Sequence, residues 1–403
     1  MDEKKGWAIV CASFVLHFIL LGIQYTFGVY LVEYKENVFK DQANTSIISL
    51  IGSTSLALLS AGGIISGRLC DRFGYVKMAL IGNFIFSISL LLASFSTEVW
   101  HLFLTQGIML GMSSSMAFFP AVSISSQYFK KYLGVATGIC VAGSGIGGLV
   151  LSPITQKLLE VLGFRWTLRI MALFALIGGS IASLFIKQRI FSKRMGKFID
   201  FTIFKDKRFL LLVAGGFISS LGYLIPFLIL PSYAKDCNIG VGESAILLGV
   251  LNGGNALGRV FLGIMADKLG KLNIMALGIF FTGLFCLISW LFSSTFVSLI
   301  IFCILYGSVA GALIALLPVT SASLFGLNNL ATINGLLYVA NGIPSLIGTP
   351  LATALINLSS NGNNHGPSSY LPVILFSGIS GIVGSVFIFW LKYCINPKTF
   401  KKV

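Results

Sequence analysis

The sequence predicts an all-α, multi-pass membrane protein in which twelve membrane-spanning helices form two six-helix bundles related by pseudo-symmetry. Three observations predict this fold class: an apolar composition, apolar runs along the whole chain, and an internal repeat. The 403 residues are 56% hydrophobic and 10% charged, whereas soluble domains carry about 25% charged residues. We therefore expect no soluble domain of any size.

Each apolar run is long enough to cross a bilayer, which takes about 20 helical residues. In chain order the predicted spans are 7–32, 46–66, 76–96, 99–122, 134–158, 167–187, 209–233, 243–265, 273–293, 295–323, 332–357 and 369–393. Most of the 28 Lys and Arg residues fall in loops on one side of these spans, which the positive-inside rule makes the cytoplasmic side. Both termini are then cytoplasmic. The net charge of +15 reflects topology, so nucleic acid binding is not expected.

The residue types that enzymes and metal sites need are not grouped in this sequence. The seven Cys show no metal-ligand spacing, and most lie inside predicted spans as small apolar residues. The spans contain no His-rich cluster, no nucleophile elbow and no paired carboxylates. We expect neither enzymatic activity nor a cofactor.

The two halves of the chain repeat at a nearly constant offset. The loop GRLCDRFGYVK (67–77) after span 2 is echoed 196 residues later by GIMADKLGKLN (263–273) after span 8. Near the end of span 4, Pro120 is matched 198 residues later by Pro318. The repeat therefore divides the chain into an N-terminal bundle, a basic cytoplasmic linker and a C-terminal bundle, which we place at 1–187, 188–208 and 209–403.

Several stretches resemble one known family. The pattern G-x-x-x-D-R-x-G after span 2, with its weaker echo after span 8, resembles the signature of the major facilitator superfamily. YFKKYLGVATGICVAGSGIGG (128–148) resembles the fifth helix of the monocarboxylate transporter branch, and the opening residues 6–31 are similar to the first helix of fungal monocarboxylate permease homologues. Residues 252–270 and 334–348 resemble spans 8 and 11 of that branch and of oxalate–formate exchangers. The resemblance covers nearly the whole chain and implies the major facilitator fold, and we expect a monomeric transport unit.

The first candidate site is the pair of loop motifs. A carboxylate at one helix end can cap the N-terminus of a neighbouring helix, and glycines permit tight turns. The resemblance implies that these loops gate the cytoplasmic side and stabilise the outward-open state, whereas the alternative is an ordinary solvated loop. The motif residues are Gly67, Asp71, Arg72 and Gly74, echoed by Gly263, Asp267, Lys268 and Gly270.

The second candidate site is a polar face on span 8. Arg259 lies inside an apolar run, where a charge costs about 2.5–3.5 kcal/mol on insertion scales. Asn252, Asn255 and Arg259 are spaced i, i+3 and i+7, so they share one helical face, which we expect to line a cavity. The alternative is snorkelling of the arginine toward the cytoplasmic end. The resemblance implies that Arg259 holds the substrate carboxylate, as the matching arginine does in both related groups.

Span 11 carries further candidate substrate ligands. Asn334, Tyr338 and Asn341 are spaced i, i+4 and i+7 and share one face. Oxalate–formate exchangers have a lysine at the position of Asn341, so its neutrality here favours a substrate with one negative charge. The alternative is hydrogen bonding between helices.

Span 1 contributes a third polar face. His17 and Gln24 are seven residues apart, with Tyr25 beside them. His17 can carry a proton near neutral pH, although a hydrogen-bonded packing role is the more common one for a lone histidine.

The sequence departs from the proton-coupled members of the branch. Those members have an aspartate at the position of Asn255 and a lysine on span 1 near Val29 or Tyr30. No Asp or Glu lies well inside any predicted span, although a proton relay usually needs one. Anion exchange, facilitated diffusion, and protonation of His17 or of the substrate all remain open.

Together these features predict a secondary transporter that moves a small organic monocarboxylate, such as pyruvate, lactate or acetate, by alternating access. Two alternatives remain: a carrier of the same fold for a neutral or larger solute such as riboflavin, and a receptor that has lost transport. We expect the plasma membrane, with an organelle as the alternative. The expected partners are the organic anion, the lipid bilayer and, for a coupled carrier, protons.

Overall fold

The computed structural model describes residues 3–39, 45–189, 201–328, 330–359 and 366–395. All regular structure in those ranges is helical, as the sequence predicts. Four π-helical turns (Tyr34–Val38, Phe103–Met109, Ala175–Gly179 and Cys286–Trp290) and two 3-10 helices (Phe201–Lys205 and Pro367–Tyr370) join or extend the α-helices. The α-helices are α1 (Glu3–Tyr25), α2 (Phe27–Glu33), α3 (Thr45–Ala61), α4 (Gly63–Phe73), α5 (Tyr75–Ala93), α6 (Val99–Leu102), α7 (Leu110–Ser123), α8 (Ser125–Tyr128), α9 (Leu133–Phe174), α10 (Ser180–Phe185), α11 (Lys207–Tyr223), α12 (Ile225–Asp236), α13 (Val241–Leu269), α14 (Lys271–Phe285), α15 (Phe296–Ala310), α16 (Ala312–Phe325), α17 (Leu330–Ser359) and α18 (Leu371–Ile395).

These helices account for the predicted spans. Within the described ranges nine helical stretches are long and apolar enough to cross a membrane, and the pair α3 and α4, bent by 46°, makes a tenth. One of the nine, Leu133–Phe185, has 53 residues and carries predicted spans 5 and 6, with a break at Gly163, whose φ is 72° and ψ is 171°. Predicted span 11 lies on α17, which has 30 residues. The fold class is therefore confirmed, and spans 5 and 6 are joined by a glycine kink.

Contacts between residues divide the chain into two compact units. Unit 1 comprises Met1–Gly196 and Phe325–Val339, and unit 2 comprises Lys197–Leu324 and Ala340–Val403. The residues of α17 are divided between the units: those up to Val339 belong to unit 1, and those from Ala340 onward belong to unit 2. The three-part division inferred from the repeat stays a prediction, and residues 190–200 of the predicted linker lie outside the described ranges.

In unit 1, helix α1 lies directly along α9. The two backbones approach closely because Gly143 and Gly147 of α9 contact the carbonyl oxygens of Phe14 and Phe18. Small residues at such crossings allow membrane helices to gain dispersion energy along their whole length. This contact fixes the position of α1, which carries the polar residues His17 and Gln24.

In unit 2, an aromatic core holds the helices that surround α13. The ring of Trp290, which is fully buried, stacks on Phe302 with centroids 5.2 Å apart, and Tyr306 packs against Phe302 at 5.3 Å. Helix α13 crosses α15 at short range because Gly258 meets the backbone of Ser308. The polar face of α13 therefore lies beside the C-terminal end of α15.

Candidate functional site

The central candidate site is the buried Arg259 on α13. Its side chain is only 3% exposed, and that of Asn255, one turn earlier, is 4% exposed. Both lie over Gly311, the residue that separates α15 from α16. A β-carbon at position 311 would overlap the Cγ atom of Arg259 and would lie 2.9 Å from Oδ1 of Asn255. The predicted polar face of span 8 is thus packed inside unit 2.

Asn255 connects this face to a second helix of the same unit. Its Nδ2 donates a hydrogen bond of 3.3 Å to the hydroxyl oxygen of Tyr223 on α11. The hydroxyl of Tyr306 in turn donates to the backbone carbonyl of Tyr223 at 2.9 Å, which holds that end of α11 in place. Arg259 and Asn255 therefore form a polar cluster with Tyr223 that draws on α11, α13 and α15.

The chemistry of this cluster suits an organic anion. A guanidinium presents a planar fork of N–H donors that matches the two oxygens of a carboxylate, and its charge persists at any physiological pH. The surrounding apolar helices lower the local dielectric and so strengthen the attraction to a bound anion. The described residues contain no group of three or more His, Cys, Asp or Glu that could hold a metal ion.

The other predicted ligands of unit 2 have more local contacts. Asn252 is half-buried, and its Nδ2 donates to the carbonyl of Leu248 in its own helix at 2.9 Å. Asn341 is 8% exposed, and its side-chain amide lies against Gly216 of α11. Asn341 therefore belongs to the same unit as Arg259, whereas the other two candidates of span 11 do not.

Those two candidates, Asn334 and Tyr338, pack in unit 1. Nδ2 of Asn334, which has no exposed surface, donates to Oγ of Ser123 on α7 at 2.9 Å. The ring of Tyr338 meets Phe118 and Phe119 edge-on, with centroids 5.3 Å and 5.7 Å apart. The residues predicted to share one face of span 11 thus divide between the two contact units.

The polar residues of span 1 contact different neighbours in unit 1. Gln24 is 5% exposed, and its Nε2 donates to Oγ of Ser55 at 2.9 Å and to Oγ of Ser114 at 3.0 Å. Nδ1 of His17 lies 2.8 Å from the carbonyl oxygen of Ser13, which makes a bond within the helix. Gln24 therefore joins three helices through its side chain.

The other two predicted residues of span 1, His17 and Tyr25, differ in their contacts and exposure. The ring of His17 meets Phe118 edge-on with centroids 5.2 Å apart. Tyr25 is 41% exposed and lies against Gly148 of α9. Of the three predicted residues on this helix, Gln24 and His17 are buried and Tyr25 is not.

The loop motif after span 2 makes a specific contact with α17 inside unit 1. Oδ2 of Asp71 accepts hydrogen bonds from the backbone N–H of Thr332 at 3.0 Å and from its hydroxyl at 2.8 Å. Gly67 lies against the backbone of Ala331, one turn from Asp71 on the same side of α4. The guanidinium of Arg72 lies over the ring of Phe73 at 5.1 Å. The carboxylate therefore caps the beginning of α17.

The two loops share one backbone feature. Gly74 and Gly270 follow α4 and α13 with φ angles of 94° and 102°, a region that only glycine adopts readily. In the second loop Asp267 is half-buried and Lys268 is exposed. The glycine turns of the motif are therefore repeated in both halves of the chain.

Three residues of these sites have no signal in the sequence pattern. Tyr223, Gly311 and Thr332 contact Asn255, Arg259 and Asp71 respectively, each from a different element of the chain. Periodicity shows which residues share a face of one helix, but not what lies opposite that face.

A helical membrane protein with an internal repeat and a buried arginine on a polar helix face belongs to the class of multi-pass solute transporters. Residues 7–349 match the family model described as Major Facilitator Superfamily, and residues 212–401 match it again. The chain belongs to the major facilitator superfamily. It is accordingly a multi-pass integral membrane protein that transports its substrate by alternating access and is not an enzyme.

Related proteins from fungi cover almost the whole chain. The MFS-type transporter pynF of Aspergillus niger is 29% identical over 99% of this chain and 91% of its own length. The agnestins efflux protein AgnL12 of Paecilomyces divaricatus is 30% identical over 94% of this chain and 86% of its own length. The aspyridones efflux protein apdF of Emericella nidulans is 30% identical over 96% of this chain and 78% of its own length. Two of these names refer to efflux and none to a monocarboxylate permease.

A solved structure shows the same fold. The proton:xylose symporter XylE, bound to 6-bromo-6-deoxy-D-glucose, aligns with a TM-score of 0.73 over 97% of this chain and 96% of its own. The two sequences are 13% identical, so the likeness concerns the fold alone. The predicted superfamily is therefore confirmed, and the narrower likeness to monocarboxylate transporters stays a prediction.

Proposed function

We propose that this protein is a carrier of an organic monoanion whose acidic group binds Arg259. The observation that supports this proposal most directly is the burial of Arg259 inside unit 2, near Asn255 and Tyr223. Its side chain is only 3% exposed. A buried cation is costly unless a partner of opposite charge or several hydrogen-bond acceptors compensate it. An anionic cargo is one such partner of opposite charge in the loaded carrier.

The cargo we propose is broader than pyruvate, lactate or acetate. The names of two relatives refer to efflux of agnestins and of aspyridones, and this supports an outward direction and a cargo that is not limited to small monocarboxylates here. Aromatic rings beside the polar cluster favour the same choice, since Phe227 lies 5.6 Å from Tyr223 and 6.0 Å from Tyr306. Small monocarboxylates remain part of the proposal as the minimal anions that the site would accept.

The proposed coupling is anion exchange or flux down the anion gradient. The position where proton-coupled relatives of the predicted branch carry an aspartate is occupied by Asn255, and no acidic residue lies well inside a predicted span. In this proposal the cargo itself carries the charge that Arg259 binds, so the transport cycle includes no proton. Uptake that counter-anions stimulate, without an imposed pH gradient, is the expected behaviour.

The test is transport in proteoliposomes loaded with unlabelled anion. Radiolabelled benzoate, pyruvate, lactate and acetate are compared with benzamide, which matches benzoate in shape but carries no charge. Arg259→Ala should lower benzoate exchange by about tenfold or more, because one lost charge-assisted pair exceeds about 1.4 kcal/mol. Arg259→Lys should fall in between, because lysine keeps the charge and loses the fork.

A matched control guards against a general effect of removing an arginine from a helix. Arg169→Ala removes a half-buried arginine that stacks on Phe95 at 4.9 Å and Trp166 at 4.8 Å in unit 1. This variant should keep its exchange activity. Normal benzoate exchange by Arg259→Ala would overturn the proposal, and transport of benzamide as fast as benzoate would favour the neutral-solute alternative.

A further inference from the structure

We propose that Gly311 is a positioning residue that sets where the guanidinium of Arg259 lies, and hence which anions the carrier accepts; this rests on the proposed function. Gly311 and Arg259 belong to the same unit. A β-carbon at position 311 would overlap Cγ of Arg259 and would lie 3.3 Å from its Nε. The middle of the arginine side chain thus occupies the space that any other residue at 311 would fill.

The same glycine also makes room for Asn255. A β-carbon at position 311 would lie 2.9 Å from Oδ1 of Asn255, closer than real β-carbons approach another heavy atom. Both polar side chains are nearly fully buried, so neither can move aside into solvent. Packed interiors transmit such an overlap as a displacement of the neighbours. Any side chain at 311 must therefore shift the amide, the guanidinium, or both.

Neighbouring glycines at this crossing have a different role. A β-carbon at Gly258 would meet the backbone of Ser308, and one at Gly307 would lie 2.7 Å from the carbonyl oxygen of Leu251. Those two glycines let the backbones of α13 and α15 approach, which is the usual role of small residues between membrane helices. The atoms that a β-carbon at position 311 would meet instead belong to the side chains of Arg259 and Asn255. Helix packing therefore does not explain the glycine at 311.

The expected consequence concerns affinity more than turnover. Bidentate binding of a carboxylate requires the guanidinium plane in one orientation, and a displacement of about 1 Å is enough to lose most of the benefit of such positioning. Gly311→Ala should raise the KM for benzoate exchange by about tenfold, with a smaller change in maximal rate. Gly311→Val should exceed that effect, because its side chain is larger.

The first test is a thermal-stability cycle that needs no substrate. Tm is measured in detergent for the wild type, Gly311→Ala, Arg259→Ala and the double variant. If the new methyl clashes with Arg259, truncating the arginine removes the clash, so Gly311→Ala should lower Tm much less in the Arg259→Ala background. Equal losses of Tm in both backgrounds would overturn the inference, even if Gly311→Ala is too unstable for transport assays.

The second test is benzoate exchange with a matched glycine variant. A β-carbon at Gly254 would lie 3.4 Å from Cα of Gly307, an ordinary contact, so Gly254→Ala should leave the KM unchanged. An unchanged KM in Gly311→Ala would also overturn the inference. If Arg259→Ala transports benzoate normally while the Tm cycle shows coupling, the proposed function fails and only the contact between Gly311 and Arg259 stands.

Discussion

Asp71 caps the beginning of α17 by accepting two hydrogen bonds from Thr332, a residue 261 positions further along the chain. The carboxylate oxygen Oδ2 receives both the backbone N–H and the hydroxyl of that threonine. A negative charge at a helix N-terminus is favourable because the first N–H groups of a helix have no partner within it. A loop motif from the beginning of the chain thereby holds a helix near its end.

Removing this cap should destabilise the protein. Hydrogen bonds to a charged group contribute about 1.5–3 kcal/mol, so Asp71→Ala should lower the free energy of unfolding by about that much. Asp71→Asn should cost less, because an amide oxygen still accepts a hydrogen bond but carries no charge. Thermal unfolding in detergent measures both variants. Thr332→Ser is the matched control, since it keeps both donors, and an Asp71→Ala variant as stable as Thr332→Ser would contradict the capping role.

The backbone contact between α4 and α17 should be equally sensitive to added volume. A β-carbon at Gly335 would overlap the carbonyl oxygen of Gly63, and backbone atoms cannot move aside as side chains do. Gly335→Ala should therefore lower Tm and slow transport by separating the start of α17 from α4. A β-carbon at Gly28 in the same unit would meet nothing within 4 Å, so Gly28→Ala is the control for the general effect of the substitution. Equal Tm values for the two variants would rule out the close contact.

The hydroxyl of Tyr223 should matter for substrate affinity. Tyr223→Phe removes the acceptor for Asn255 and keeps the backbone carbonyl that Tyr306 uses, so the fold should be retained. The lost bond is worth about 0.5–1.5 kcal/mol, which corresponds to a rise in the KM for benzoate of about twofold to tenfold. Tyr132→Phe, at a 39% exposed tyrosine, is the control. An unchanged KM in Tyr223→Phe would remove Tyr223 from the site.

We expect the stability of the protein to depend on pH through Asp206, the residue just before α11. The carboxylate of Asp206 accepts a hydrogen bond of 2.8 Å from the backbone N–H of Arg208. It also forms a salt bridge with the guanidinium of Arg208, in which Nη2 lies 2.7 Å from Oδ2. These hydrogen bonds from Arg208 lower the pKa of the Asp206 carboxyl below its ordinary value. A lowered folded-state pKa stabilises the fold above the unfolded-state value, about 3.9 for Asp, and that contribution is lost as pH falls through the folded pKa.

The measurement is Tm against pH for the wild type and Asp206→Asn. The wild type should be modestly more stable near neutral pH, because the side chains of the pair are partly exposed to solvent, which screens their attraction. The difference should begin to shrink as pH falls through about 4 and should vanish once the pH lies below the lowered pKa of the folded Asp206 carboxyl. A difference that grows on acidification would show that the pair does not act in this way.

The fold could be predicted from the sequence because membrane helices follow local rules. Length and apolarity decide whether a helix crosses the bilayer, and neither depends on its neighbours. Gly163 shows what the pattern leaves open: at a φ of 72° it breaks the stretch Leu133–Phe185, so predicted spans 5 and 6 are two helices joined by a kink at one residue.

The candidate site was only partly predictable. The spacing of Asn255 and Arg259 indicates a shared face, and both are buried together. The same spacing places Asn252 on that face, but its side-chain amide donates to the carbonyl of Leu248 in its own helix. Helical spacing shows which face a residue lies on, but it does not show which group the side chain will hydrogen-bond. The sequence pattern does not single out Gly311, because a glycine in an apolar run is ordinary and only its contact with the arginine side chain shows its role.

The most direct measurement is the binding of benzoate and benzamide to purified wild type and Arg259→Ala by titration calorimetry. If Arg259 holds the acidic group of the cargo, the Kd for benzoate should rise by about tenfold or more in the variant, while weak binding of benzamide stays the same. Arg169→Ala should bind benzoate as the wild type does. Equal benzoate affinity in Arg259→Ala and the wild type would contradict the assignment of Arg259 as the anion-binding residue.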